Sequence, residues 1–423
     1  MNNTTIKQLY ARQILDSRGN PTVEAQVLLE NGVTAGAAVP SGASTGQYEA
    51  HELRDEASLY NGKGVLKAVS NIKHELNDVL KGCDVFNQTD IDRKMMEADG
   101  TKDKSRLGAN AILAVSLAVA RTASIACGMP LFRYLGGCAA MTMPVPMLNV
   151  MNGGAHANNN LDIQEFMIVP IGAPTFTKAM EMSCRVYHSL GHILKENNLG
   201  TTVGDEGGFA PNLECDEQGL NLLVRAIERA GMIPGKDIAL ALDAAAGEWK
   251  TPDGYRQPKN GNTYSSATLS DYFANLVQKY PIISIEDPFG DDDYEGFAEL
   301  CGKTSCQIVG DDLFVTNKER LIQGIEKQSG NAILIKPNQI GTLSETLETI
   351  RVARENNYKT IISHRSGDTA DSFIADLAVA VNAGQIKTGA PARSERVSKY
   401  NRLLGIEDLL GVHSHYPGKI LFH

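Results

Sequence analysis

Apolar and polar positions alternate in two different regimes, and the change falls near residue 140. Ahead of it, TVEAQVLLENGVTAGAAVP (Thr22 to Pro40) holds two strand-like runs joined at Asn31-Gly32, the dipeptide a tight hairpin turn favours because both of its residues tolerate positive φ. Val65, Val69, Ile72, Leu76 and Val79 recur at three- and four-residue spacing, which predicts an amphipathic helix. Arg106 to Ala126 predicts a second, more buried one; its apolar run AILAVSLAVA is too short to span a bilayer. Residues 1–135 are therefore expected to form a small α+β domain.

MTMPVPMLNVMNGGAHANNN follows, with two prolines and a glycine pair, and reads as a boundary. Beyond it, short apolar runs alternate with helix-like stretches: FMIVP, TTVG, IALALD, IISIED, CQIVGDD, AILIKPN, KTIISHRS and AVAVNAGQIKTG. Eight such runs predict a (β/α)8 barrel over residues 136–423; a doubly wound sheet is the competing α/β architecture. The stretch GEWKTPDGYRQPKNGNTYSS, rich in Gly, Asn and Ser, is expected to be a long loop.

Polar residues recur where these runs end. Asp243, Glu286, Asp311, Lys336, His364 and Lys387 follow one another by 43, 25, 25, 28 and 23 residues, and gaps in the twenties suit one βα unit. Side chains at such positions point into the mouth of a barrel. Three carboxylates gathered there would repel one another unless a cation joins them. An all-oxygen donor set favours magnesium or manganese over zinc. Asp287 and Asp312 are adjacent acids with supporting or capping roles. Lys336 and Lys387 end apolar runs where a turn residue is expected. Either amine reaches back to water, or it serves as a base, since nearby cations ease the loss of its proton.

Four loops add candidates. SHRSG offers His364, the Arg365 fork for a phosphate or carboxylate, and a Ser366 donor. GDEGGFAP presents Asp205 and Glu206 between glycines, and a carboxyl among carboxylates can stay protonated and act as an acid. NGGAHANNN carries His156, and LDIQEF brings Gln164 and Glu165 to the start of a run. SGASTG lacks the lysine of a phosphate loop; it reads as a lid whose Ser41 reaches a metal or phosphate.

Composition narrows the classes. The chain has 423 residues, 42% hydrophobic and 21% charged, with a formal charge of -10, which disfavours non-specific binding to nucleic acid or anionic membrane. Seven cysteines without CxxC spacing disfavour a disulfide framework or zinc ribbon and fit a reducing cytoplasm. The start, MNNTTIKQLY, lacks the pattern of a signal peptide.

From ARQILDSRGNPTVEAQV to GQIKTGAPARSERVSKYNRLLGIE the chain resembles the enolase family, the glycolytic phosphopyruvate hydratases; SGASTG, GDEGGFAP, ILIKPNQIGTLSET and SHRSG carry the likeness. The resemblance implies a modified TIM barrel whose second strand runs antiparallel, and reversible dehydration of 2-phospho-D-glycerate to phosphoenolpyruvate with two magnesium ions. It implies Asp243, Glu286 and Asp311 on one magnesium and Ser41 on the second. Lys336 would be the base at C2, and Glu206, assisted by Glu165, the acid at the C3 hydroxyl. Lys387 would meet the substrate carboxylate, Arg365 and Ser366 its phosphate, and His156, His364 and Gln164 the rest of the pocket. It further implies a homodimer or octamer in the cytoplasm, with a secondary surface or secreted pool. Gly247 stands where the family often has serine, and Asn158 where an acid or glycine is common. A dehydratase or racemase of the wider superfamily and a scaffold role are the competing functions.

Overall fold

The computed structural model describes residues 3–42, 46–55 and 58–422. Ala43, Ser44 and Thr45 of the expected lid lie outside the described residues. The N-terminal part is a three-stranded antiparallel sheet of Ile6–Leu15, Pro21–Leu29 and Thr34–Ala38. Its hairpin turns at Gly32, whose φ is +87°, a value glycine adopts without strain. Three consecutive helical segments, Leu66–Asn71, Ile72–Leu76 and Asn77–Leu80, carry the predicted amphipathic stripe. The helix Ala109–Ala126 packs on the sheet and is 83% buried, as a core helix is.

The rest is a closed barrel of eight strands: Val145–Asn152, Glu165–Val169, Ala239–Asp243, Ile282–Glu286, Gln307–Gly310, Ala332–Ile335, Lys359–Ser363 and Gly384–Lys387. Closure excludes the doubly wound sheet. The second strand pairs antiparallel with both neighbours, as the family resemblance implies.

Three expectations need correction. The first barrel strand, Val145–Asn152, lies inside the segment read as a boundary. FMIVP is therefore the second strand, and TTVG is not in the barrel: Val203 makes only an isolated bridge to Phe209. The long insertion is folded, with short strands Lys250–Thr251, Gly254–Arg256 and Thr263–Tyr264 in a sheet of their own. Tyr255 anchors it, donating its hydroxyl proton to Asp293 at 2.7 Å and accepting the Gly290 N–H at 3.0 Å.

Alternation along the strands explains what reaches the barrel mouth. Ala332 and Leu334 fill the barrel interior, whereas Ile333 and Ile335 pack outward on the helices. Side chains repeat with a period of two, so Lys336 continues the inward series. The same parity carries Asp243 beyond Ala239 and Ala241, Asp311 beyond Val309, and Ser363 beyond Ile361. Because the second strand is reversed, its first residue, Glu165, stands at the rim where the other strands end.

The N-terminal domain is tied to that rim. Arg121 donates to both oxygens of Asp371 at 2.8 and 2.7 Å, and Asp371 also accepts the Ala38 N–H at 3.0 Å. Ser41 and Gly367 exchange backbone hydrogen bonds of 2.7 and 2.9 Å, which joins the start of the expected lid to the SHRSG loop.

Candidate active site

A cleft of about 580 Å³ opens at this rim, lined by Glu165, Glu206, Asp311, Lys336, Arg365 and Lys387 among others. Lys387 is its electrostatic centre. Its buried ammonium stands 2.7 Å from Glu286, 2.9 Å from Asp243 and 3.3 Å from Glu165. Burial alone would lower its pKa, but these carboxylates outweigh that and hold it well above the ordinary lysine value. Gln164 adds a donor to Asp243 at 3.3 Å. Glu286 lies beneath the cleft floor, fully buried, and burial together with Asp243 pushes its carboxyl well above the usual range.

Lys336 forms an ion pair with Asp311, and Gln339 donates to the other Asp311 oxygen at 2.9 Å. The charges beside Lys336 decide how firmly it holds its proton. Burial does lower its pKa, but the Asp311 carboxylate prevails and the net shift is upward. Asp287 accepts the backbone N–H groups of Asp311 and Asp312 at 2.9 and 2.8 Å, the capping role expected for an adjacent acid.

Across the mouth stands a second group. In a ring of eight strands, the sixth, which leads into Lys336, lies opposite the second, which begins with Glu165. His156, Glu165 and Glu206 bring one ligand atom each within 4.8 Å of one another. Burial and the nearby Glu206 push the Glu165 carboxyl well above its ordinary value. Burial also raises Glu206, but His364, His156 and Arg396 overcome it and hold this carboxyl well below. Asn149 donates to Glu206 at 3.0 Å. The two carboxyls of the pair are thus pushed in opposite directions by their surroundings. Burial lowers the pKa of His156, and takes that of His364 to about 4, so neither imidazole carries charge near neutrality.

Arg365 is buried and paired with Glu49 at 2.9 Å, with Asn338 at 3.2 Å. Ser366 lies beside it on the cleft wall. Of the proposed metal ligands, Asp243 and Asp311 line the cleft, whereas Glu286 and Ser41 do not; Gly42 reaches the lining beside Ser41. The Ser41 hydroxyl donates to Glu52 at 3.0 Å and accepts from Arg54 at 2.9 Å.

Asp243, Glu286 and Asp311 end or follow neighbouring parallel strands, with Asp243 and Glu286 directly paired in register. As a buried, all-oxygen donor set now facing two ammonium groups, they fit a hard dication. Among the described residues the groups whose ligand atoms all lie within 4.8 Å of one another are, however, Asp287, Asp311 and Asp312, and His156, Glu165 and Glu206, not this expected triad. Sequence reasoning missed Asn149, Gln339, Glu49 and Arg396. Asn149 could have been found had VPMLNVMN been taken as a strand; Gln339 and Arg396 lie within quoted segments, ILIKPNQIGTLSET and GQIKTGAPARSERVSKYNRLLGIE, and were passed over there.

A capped barrel with one reversed strand, and with lysines and acids able to hold a metal gathered at one rim, is the class of protein that the fold and site define. Two family descriptions match the chain: "Enolase, N-terminal domain" over residues 6–135 and "Enolase, C-terminal TIM barrel domain" over residues 140–423. The chain belongs to the enolase family.

Proposed function

We propose that the protein is a phosphopyruvate hydratase, which reversibly dehydrates 2-phospho-D-glycerate to phosphoenolpyruvate and water. One observation supports this reading: Lys336, paired with Asp311, and the Glu165–Glu206 pair stand on opposite strands of the barrel ring. An α,β-elimination needs a base and an acid on different sides of its substrate.

Two magnesium ions, one held by Asp243, Glu286 and Asp311 and the other joined by Ser41, would supply positive charge against the substrate carboxylate as its α-carbon loses a proton. The residues do the rest. Once Asp311 no longer holds it in an ion pair, the Lys336 ammonium releases a proton to solvent, and the neutral amine then takes the C2 proton. Lys387 pairs with the substrate carboxylate and balances the charge that builds there. Glu206 delivers a proton to the departing C3 hydroxyl, drawing on the one shared with Glu165. Arg365 and Ser366 hold the phosphate, which replaces Glu49 as the partner of the guanidinium. His156, His364 and Gln164 line the pocket and exclude water. The chain acts in glycolysis in the cytoplasm, as a homodimer or octamer, with a secondary surface or secreted pool; sedimentation and fractionation test these assignments.

The test is a magnesium-dependent coupled absorbance assay on 2-phosphoglycerate. Wild type should turn over, and Lys336→Ala should lose at least ~100-fold in kcat while remaining folded. No turnover by wild type with magnesium present would favour a sugar-acid dehydratase or a racemase.

A further inference from the structure

The helix Ser394–Leu410 contributes a fully buried cation, Arg396, to which no chemistry has been given above. Its Nη1 lies 2.5 Å from His364 Nδ1 and donates to the Arg365 carbonyl at 2.6 Å. Its Nη2 donates to the Ser366 carbonyl at 2.6 Å and the Asp205 carbonyl at 3.2 Å. One guanidinium therefore touches both loops that carry the pocket, SHRSG and GDEGG. Its Nε makes no hydrogen bond among the described residues, although Glu395 stands 3.4 Å away.

The chemistry of the 2.5 Å contact is restrictive. A guanidinium has only donors and stays charged in proteins. His364 Nδ1 must then accept, which leaves the ring proton on Nε2. A second proton on the ring would set donor against donor. Nε2 makes no hydrogen bond among the described residues, yet stands 3.3 Å from Glu206 Oε1. The other Glu206 oxygen already accepts from Asn149.

We propose that Arg396 is a positioning residue that locks His364 as the neutral Nε2–H tautomer, so that an imidazole donor faces Glu206 and favours its carboxylate. Arg396 thereby helps decide which glutamate of the pair carries the proton. The low pKa of His364, caused first by burial and opposed by Glu206, agrees with a ring that stays neutral beside Arg396. The consequence for turnover rests on the reading of Glu206 as the acid; the tautomer does not.

The test is nitrogen NMR on full-length protein labelled with 15N-histidine, with the His364 signals assigned by their loss in His364→Asn. Wild type should show Nε2 protonated and Nδ1 bare, unchanged from about pH 8 down to about pH 5. Arg396→Met should show the other tautomer, or a mixture, with titration moved back toward neutrality. Arg396→Lys, which keeps a donor-only cation, should restore the wild-type tautomer. In the coupled assay Arg396→Met should lose roughly 10- to 100-fold in kcat with a smaller change in KM, and Arg396→Lys should recover part of it. A wild-type spectrum with Nδ1 protonated overturns the proposal even if Arg396→Met does not fold, and so does a folded Arg396→Met with an unaltered His364 signal. The predicted spectrum in a protein inactive on 2-phosphoglycerate would leave the tautomer assignment standing and refute the function instead.

Discussion

Replacing Lys387 by alanine removes the one ammonium that touches Glu286, Asp243 and Glu165, at 2.7, 2.9 and 3.3 Å. All three carboxylates are nearly inaccessible to water. Breaking a single buried pair costs about 3–5 kcal/mol, because the remaining charge is left uncompensated. Glu165 and Glu286, whose pKa values are raised, offset part of this by taking up a proton, so the middle of that range applies. A loss of ~4 kcal/mol lowers the folding constant roughly a thousandfold. The sign of the pH dependence follows from the raised folded-state pKa values of Glu165 and Glu286. Such a carboxyl binds more protons folded than unfolded, between its ordinary value and its raised one. Stability therefore falls as pH rises through that window. Without Lys387 both values move higher still, so the deficit of the variant should be larger near pH 8 than near about pH 5.5. Urea titrations of wild type and Lys387→Ala, in chelator at both pH values, measure it. A deficit below about 1 kcal/mol at pH 8 would refute the reasoning, as would one that grows on acidification.

Other perturbations have equally definite outcomes. Buried Asp216 accepts the backbone N–H groups of Asp162 and Ile163, ahead of the rim residues Gln164 and Glu165, and burial raises it to about 7. Its cost to the fold is absent below its ordinary value and complete above about pH 7, so Asp216→Asn should stabilise the protein by up to a few kcal/mol at pH 8 and leave it unchanged near pH 4, as thermal melts across pH would record. Gly247 has nothing within 4 Å of where a Cβ would stand, so Gly247→Ser should change stability by no more than about 0.5 kcal/mol, and a larger loss in urea titration would show a contact the backbone does not reveal. Asp371→Ala unpairs Arg121 between the two domains and should destabilise by about 3–5 kcal/mol, measured by the same titration, with kcat affected only through the shared Ser41–Gly367 junction.

Much of the barrel was legible because branched apolar runs ending in charge are rare in a solvated chain. Asp243, Glu286, Asp311, Lys336 and Lys387 came directly from that pattern, and the structure brings all five to one rim. The first strand escaped for a physical reason: Asn149 and Asn152 interrupt its apolar run, yet both are fully buried. Asn149 interrupts the pattern because it serves Glu206. Strand direction could not be read, since alternation is the same in either sense; only pairing reveals that Glu165 begins its strand at the rim. Arg396 lies within a helix whose spacing gives no sign that a guanidinium is fully buried. The pairing of Lys336 with Asp311 was not legible, since strand spacing names both residues but not the contact between their side chains.

The central claim, that the residue-336 amine removes the proton at C2 while Glu206 acts later at C3, separates cleanly in one measurement. Wild type, Lys336→Ala and Glu206→Gln are incubated with magnesium and 2-phosphoglycerate in deuterated water, and label at C2 is followed by proton NMR. The account predicts that Glu206→Gln exchanges C2 without making phosphoenolpyruvate, whereas Lys336→Ala, folded and magnesium-loaded, exchanges nothing. Continued C2 exchange by Lys336→Ala would contradict it.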